Sequence, residues 1–154
     1  MVTKMHRPPP GPQKSPSETT PGDVAKLLRG AGLRPTRQRV ALAHLLFAEG
    51  DRHVTAETLH EEALARKVPV SLATVYNTLH QFTAAHLLRH VVVDSGRGYF
   101  DTNTADHHHF FFEDTGRLQD IPGEAVTVST LPNPPGEARV TRVDVIVRVD
   151  KDRA

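Results

Sequence analysis

Three consecutive histidines, His107, His108 and His109, lie in the stretch DTNTADHHHFFFEDTGRLQD from Asp101 to Asp120, and no other stretch is as well supplied for chemistry. Imidazoles and carboxylates brought together bind divalent metals such as Fe, Mn or Zn. Read as a strand, the period of two sends His107, His109 and Phe111 to one face and His108, Phe110 and Phe112 to the other. Thr115-Gly116 reads as a two-residue hairpin turn that sets Asp120 opposite Phe111 and diagonally beside His109, on the same face. Asp101 returns over the histidines across residues 102–106. The pattern predicts two imidazoles and two carboxylates around one point: Asp101, His107, His109 and Asp120. The competing reading is a solvated histidine-rich strand that holds no ligand. The phenylalanine run argues against it, because a strand buried on one face needs partners for its polar groups.

The composition limits what surrounds this node. With 154 residues, 38% of them hydrophobic, the chain is sized for one domain or two small ones. It contains no cysteine, so disulfides, thiolate zinc sites and cysteine nucleophiles are excluded, and a metal falls to His and carboxylates. A net charge of +1 does not by itself signal nucleic acid, so that case rests on local clusters. No apolar run approaches the roughly 20 residues of a membrane span, and the N-terminus lacks a secretory apolar region; the cytoplasm is the expected location and no membrane partner is expected.

Residues 1–22 are rich in Pro with Ser, Thr, Lys and Gly and read as a disordered tail. Asp23 is then expected to cap a short helix through Arg29, ended at Gly30 and Gly32. RPTRQRVALAHLLFAEG carries Val40, Ala43 and Phe47 at core-helix spacing, with Arg34, Arg37 and Arg39 as a basic cluster in its first turn. Thr55 caps a third helix with Ala56, Leu59 and Ala63 inward. Ser71 caps a fourth, whose apolar stripe is Leu72, Val75, Leu79 and Phe82 and whose outer face shows Ala73, Thr74, Asn77, His80 and Gln81. Short helices ending in one with a hydrogen-bonding outer face fit a helix-turn-helix plan.

After Leu87 the pattern turns to β: LLRHVVV, a turn at Asp94-Ser95-Gly96, then RGYFD, a hairpin that makes the plan a winged helix. Arg97 sits near the wing tip. Residues 121–137 hold four prolines and read as irregular, with at most a short helical turn. In the final RVTRVDVIVRVD, Val143, Val145, Val147 and Val149 share a face expected to be buried, and Arg142, Asp144 and Arg148 share the other. Three strands make a thin sheet, which a second copy would complete.

ATVYNTLHQF at 73–82, the preceding GLRPTRQRV and the D-x5-H-x-H spacing resemble the ferric uptake regulator family over about residues 23–149. The His-His-His run, Asn77 after Tyr76 and the VTRVDVIVR strand resemble its iron response regulator branch. The resemblance implies a homodimeric repressor or activator that binds a double-stranded DNA operator, with a regulatory metal site at a hinge. It adds His53 to the ligand set of Asp101, His107, His109 and Asp120. The missing cysteines remove the family's common thiolate zinc site and the Cys-Pro haem motif, Val143 stands where a last-strand histidine is expected, and the Pro-rich stretch replaces most of a family helix.

The expected fold is α+β: a winged helix-turn-helix domain over 23–96, then a small, mostly β, α/β dimerisation and sensing domain over 97–154. The expected function is a non-enzymatic, dimeric transcription regulator of iron homeostasis responding to Fe, Mn or Zn. Haem is a second candidate ligand at His107, His108 and His109, because imidazole is a common axial ligand and Phe110 and Phe112 share the face of His108. Arg37, Arg39, Ser71, Thr74, Tyr76, Asn77 and Arg97 are the expected DNA contacts. A metal or haem buffer, and a small non-haem iron enzyme using Asp101, His107 and His109, are the alternatives.

Overall fold

The computed structural model describes residues 20–94 and 97–151, with the side chain of Arg97 outside that set. Most of the expected tail, residues 1–19, therefore lies outside the described residues, as do the wing-turn residues Ser95 and Gly96.

Each of the four α-helices among the described residues starts at a hydroxyl cap. Thr20, Thr36, Thr55 and Ser71 accept the N–H three residues on at 3.1–3.3 Å, satisfying a donor that the first turn cannot pair. The helices are α1 (Pro21–Gly30), α2 (Arg37–Phe47), α3 (Ala56–Ala65) and α4 (Leu72–Ala84). The first begins earlier than the sequence suggests: Thr20 is the cap, and Asp23 is the third residue of the turn, closing a capping box by accepting from the Thr20 N–H. Helices α1, α3 and α4 end alike. A left-handed residue, Gly32, Lys67 or His86, follows the cap, and the next N–H reaches back to Leu28, Ala63 or Phe82 at 2.9 Å.

These helices enclose a dry core of Val24, Leu28, Leu42, Ala43, Leu46, Leu59, Ala63, Val75, Leu79 and Phe82. On α2 the buried stripe is Leu42, Ala43 and Leu46, while Val40 and Phe47 only flank it, one residue round from the expected face. Leu72 at the start of α4 is 36% exposed and does not join the stripe; Thr78 is buried instead.

Strand β1 (His53–Val54) lies between α2 and α3. It pairs antiparallel with β3 (Arg97–Asp101), which pairs with β2 (Arg89–Asp94), giving the order β1-β3-β2. This is the wing sheet, and β3 carries Asp101 to its end.

The second sheet has the order β5-β4-β6, from β4 (His107–Phe112), β5 (Arg117–Pro122) and β6 (Ile146–Val149). The β4–β5 pairing corrects the expected register: Asp120 lies directly opposite His109, and Leu118 opposite Phe111. The connection is Glu113 to Gly116 rather than two residues, with Gly116 left-handed at φ 73°. The register moves by two, so every side chain keeps its face and the node survives.

Strand β6 runs parallel to β4, with Phe110 beside Val147 and Phe112 beside Val149. A parallel neighbour needs a crossover, and residues 123–145 supply it, irregular but for a single 3-10 turn at Gly123–Ala125. Only 146–149 form strand, so Val143 and Val145 lie in the approach to it, and Val147 and Val149 are half-buried rather than buried. The charged side of this segment is the one engaged within the chain. Arg148 donates to the Val93 carbonyl, and Asp144 pairs with Arg89.

A second, smaller core joins the two sheets. Val91 and Val93 of β2 pack with Phe111 and Leu118, flanked by Tyr99 and Ile146. Tyr99 donates its hydroxyl to the Gly116 carbonyl at 2.5 Å, and buried Arg89 donates to the carbonyls of Ala105 and His107 at 3.4 and 3.3 Å. The wing hairpin is therefore the platform on which β4 is seated.

Candidate metal centre

Five side chains converge where the two sheets meet. His53 comes from β1, Asp101 from the end of β3, His107 and His109 from one face of β4, and Asp120 from β5 across from His109. One ligand atom from each lies within 4.8 Å of every other. Asp101 Oδ2 is the focus, at 2.8 Å from His107 Nε2, 2.9 Å from His109 Nε2 and 3.1 Å from His53 Nε2. Asp120 Oδ1 closes the other side, at 2.7 Å from His53 Nε2 and 3.4 Å from those of His107 and His109.

These spacings fit a coordination shell. Donors about 2.0–2.2 Å from a common ion stand about 3.0 Å apart at right angles and about 3.4 Å apart at tetrahedral angles. Tautomers agree: His107 Nδ1 lies 2.5 Å from the Ala105 carbonyl, so it holds the proton there and Nε2 turns its lone pair inward. Asp101, His107 and His109 are 0%, 4% and 1% exposed. Imidazoles and carboxylates crowded into so dry a place need positive charge among them, from protons on the imidazoles or from a metal ion. Three imidazole nitrogens and two carboxylate oxygens suit Fe, Mn or Zn.

The electrostatics follow from the same crowding. Burial opposes protonation of His53, yet its hydrogen bond to Asp101 and the charges of Asp101 and Asp120 outweigh that and raise its pKa. Burial likewise opposes the charged form of Asp101. Hydrogen bonds from His109 and His53, the Asn103 backbone N–H and the charge of His53 prevail, and its carboxyl is held far below the usual carboxylate range.

His108 faces the other way, half-buried, and its Nδ1 accepts the Val145 N–H at 3.0 Å. His107 and His109, the other candidate haem residues, are turned to Asp101.

The expected DNA contacts divide into free and braced side chains. Arg37 and Asn77 are exposed on α2 and α4. Arg39 is a brace: its guanidinium donates to Gln81 Oε1 at 2.9 Å and to the Arg34 carbonyl at 3.0 Å, fixing the start of α2 against α4. Ser71 and half-buried Thr74 form the α4 cap. Tyr76, 38% exposed, donates to Glu57 Oε1 at 2.7 Å, which lowers the Glu57 pKa and raises that of Tyr76. Beside Tyr76 runs an aromatic ladder: His80 stacks 6.5 Å from it, and His90 of the wing lies 5.9 Å from His80. Sequence reading missed Glu57, His90, Arg52, Arg89 and Asn103. Arg52, next to His53, pairs with Glu62 at 2.5 Å and exchanges hydrogen bonds with Thr102. Only Asn103 carried a sequence signal, its place in the short loop between the proposed ligands Asp101 and His107.

Residues 30–130 match the sequence profile of the ferric uptake regulator family. The chain belongs to that family. A ferric uptake regulation protein of Bordetella parapertussis is 35% identical over 81 residues, covering 53% of this chain and 58% of that protein, so the match spans less than two thirds of that relative. The peroxide-responsive repressor PerR of Staphylococcus epidermidis is 35% identical over 95 residues, 61% of this chain and 62% of that one. Among solved structures, the ferric uptake regulator of Pseudomonas aeruginosa with manganese matches at a TM-score of 0.62 and 26% identity, covering 83% of this chain and 97% of that one. Membership supports the winged-helix and β-rich plan and sets aside the enzyme alternative, since the family consists of transcription regulators.

Proposed function

We propose that this protein is a homodimeric, DNA-binding transcription regulator of iron homeostasis, set by one divalent metal held by His53, Asp101, His107, His109 and Asp120. The observation that carries the reading is the origin of these donors: His53 and Asp101 belong to the wing sheet, and the other three to the second sheet. A cation there ties the DNA-reading half to the sheet half, and its loss lets the contact relax. The manganese in the Pseudomonas relative supports a metal of this class. Asn77 and Tyr76 on α4 supply base and groove contacts, and Arg37 and Arg97 phosphate contacts; Arg39 acts by holding α2 on α4. The iron response regulator branch is favoured by the His107–His109 run and by Asn77 following Tyr76.

The dimer reading rests on an uncovered face. Phe110, Phe112, Val147 and Val149 are half-buried on the side of the second sheet away from the wing, and a second copy would cover them. Haem enters as a competitor: His108 Nδ1 is engaged by Val145, so an axial bond falls to Nε2, and recruiting His107 or His109 requires opening the cluster around Asp101.

Fluorescence anisotropy with duplexes selected from a random library by the Mn2+-loaded protein tests the regulator reading. Metal should change affinity by about 5- to 150-fold, and Asp101→Ala should abolish that change. Equal affinity with and without metal in the wild type contradicts it.

A further inference from the structure

Each carboxylate at the proposed centre offers one oxygen inward, and a single residue occupies the other oxygen of both. The Asn103 backbone N–H donates to Asp101 Oδ1 at 2.9 Å, and its side-chain Nδ2 donates to Asp120 Oδ2 at 3.2 Å. Its own Oδ1 accepts the Ala105 N–H at 3.1 Å, and the Ala105 carbonyl in turn receives His107 Nδ1–H at 2.5 Å. Asn103 is therefore one bond from two of the five donors and two bonds from a third. It touches none of the inward-facing atoms.

We infer that Asn103 is a positioning residue whose side chain keeps Asp120 monodentate, beside an Asp101 whose far oxygen is held by the residue 103 backbone N–H, and so sets which metal the site prefers. The inference rests on the proposed metal reading. A carboxylate with both oxygens free can chelate, which raises the oxygen count and favours larger, harder cations such as Mn2+. One held at its far oxygen contributes a single bond, and three imidazoles with two single carboxylate oxygens favour Zn2+ by comparison. The Asn side chain is suited to this because it donates and accepts at once, so the turn that places Ala105 and the hold on Asp120 come from the same group. Asp could make the turn but would offer Asp120 no donor.

The test uses the full chain and three readouts. Zn2+ and Mn2+ affinities are measured by chelator competition, the Co2+ absorption spectrum reports coordination number, and the metal-free melting temperature reports folding. Asn103→Ala should weaken Zn2+ binding by about 10- to 100-fold and Mn2+ binding by clearly less, with weaker Co2+ bands as oxygen ligation increases. Asn103→Ser guards against a folding defect: its hydroxyl can still accept from Ala105 but is too short for Asp120, so it should melt near wild type and yet show the altered Zn2+ to Mn2+ ratio. A wild-type ratio and Co2+ spectrum in Asn103→Ser, beside normal binding by the wild type, overturns the inference alone. Failure of the wild type to bind any of these metals overturns it together with the metal reading.

Discussion

The helical half buries Leu28, Leu42, Leu46, Leu59, Leu79 and Phe82 in one apolar core, whereas the second sheet buries His107 and His109 against Asp101, beside a small cluster of Val91, Val93, Phe111 and Leu118. Apolar burial stabilises the first region without help from solutes. Ionisable groups at the centre of the second leave its compactness dependent on what charge sits among them. On the proposed function, the half that reads DNA must keep its shape in every state, while the half that senses must have two states close in free energy, and the two interiors differ in that sense.

The contrast is broken most forcefully in the helical core. Phe82→Ala should cost about 3–5 kcal/mol of unfolding free energy, with the same loss in metal-free and metal-loaded protein. Chemical denaturation followed by circular dichroism checks this, and a loss that metal restores would mean that the helical core is not independent of the centre.

A smaller effect comes from pH and acts on the second region alone. The His53 pKa is raised above the ordinary 6.5 by Asp101 and Asp120. Its protonated form therefore stabilises the metal-free fold, fully below the unfolded value and progressively less as pH rises through the folded one. Metal competes with that proton, so affinity changes in the opposite sense. As pH climbs from about 6 to about 8, the metal-free melting temperature should fall while Mn2+ affinity rises. Asp101, held below its usual range, stays ionised across this window and contributes no slope. Parallel slopes in the two measurements would contradict the assignment of His53.

Much of this architecture was legible in the residues because local rules repeat. The caps of α3 and α4 lie at the expected Thr55 and Ser71, and alternation along β4 separated His107 and His109 from His108. That alternation yielded His107 and His109, the hairpin Asp120 and the returning loop Asp101, and even the misjudged hairpin loop did no harm, because a two-residue slip preserves the face. His53 could not be reached this way: a two-residue strand has no periodicity, and only its pairing with β3 brings it beside Asp101. The final strand misled for a different reason. Alternation identifies two faces but not which one meets the rest of the chain, and here the side bearing Asp144 and Arg148 meets the wing through ion pairs and carbonyls. Arg39 and Tyr76 were expected at DNA from local pattern, which could not show their bonds to Gln81 and Glu57, because those bonds join segments far apart in sequence.

In the proposed function one cation is held jointly by the wing sheet and the second sheet, and His53 is the donor that separates this from a site confined to the second sheet. Mn2+ binding followed by electron paramagnetic resonance, in which the signal of the free ion disappears on binding, measures it directly. Wild type should take up one Mn2+ per chain, and His53→Ala should bind at least about tenfold more weakly while its metal-free circular dichroism is unchanged. Equal affinity in the two proteins would place the ion within the second sheet and remove the link between metal and the DNA-reading half.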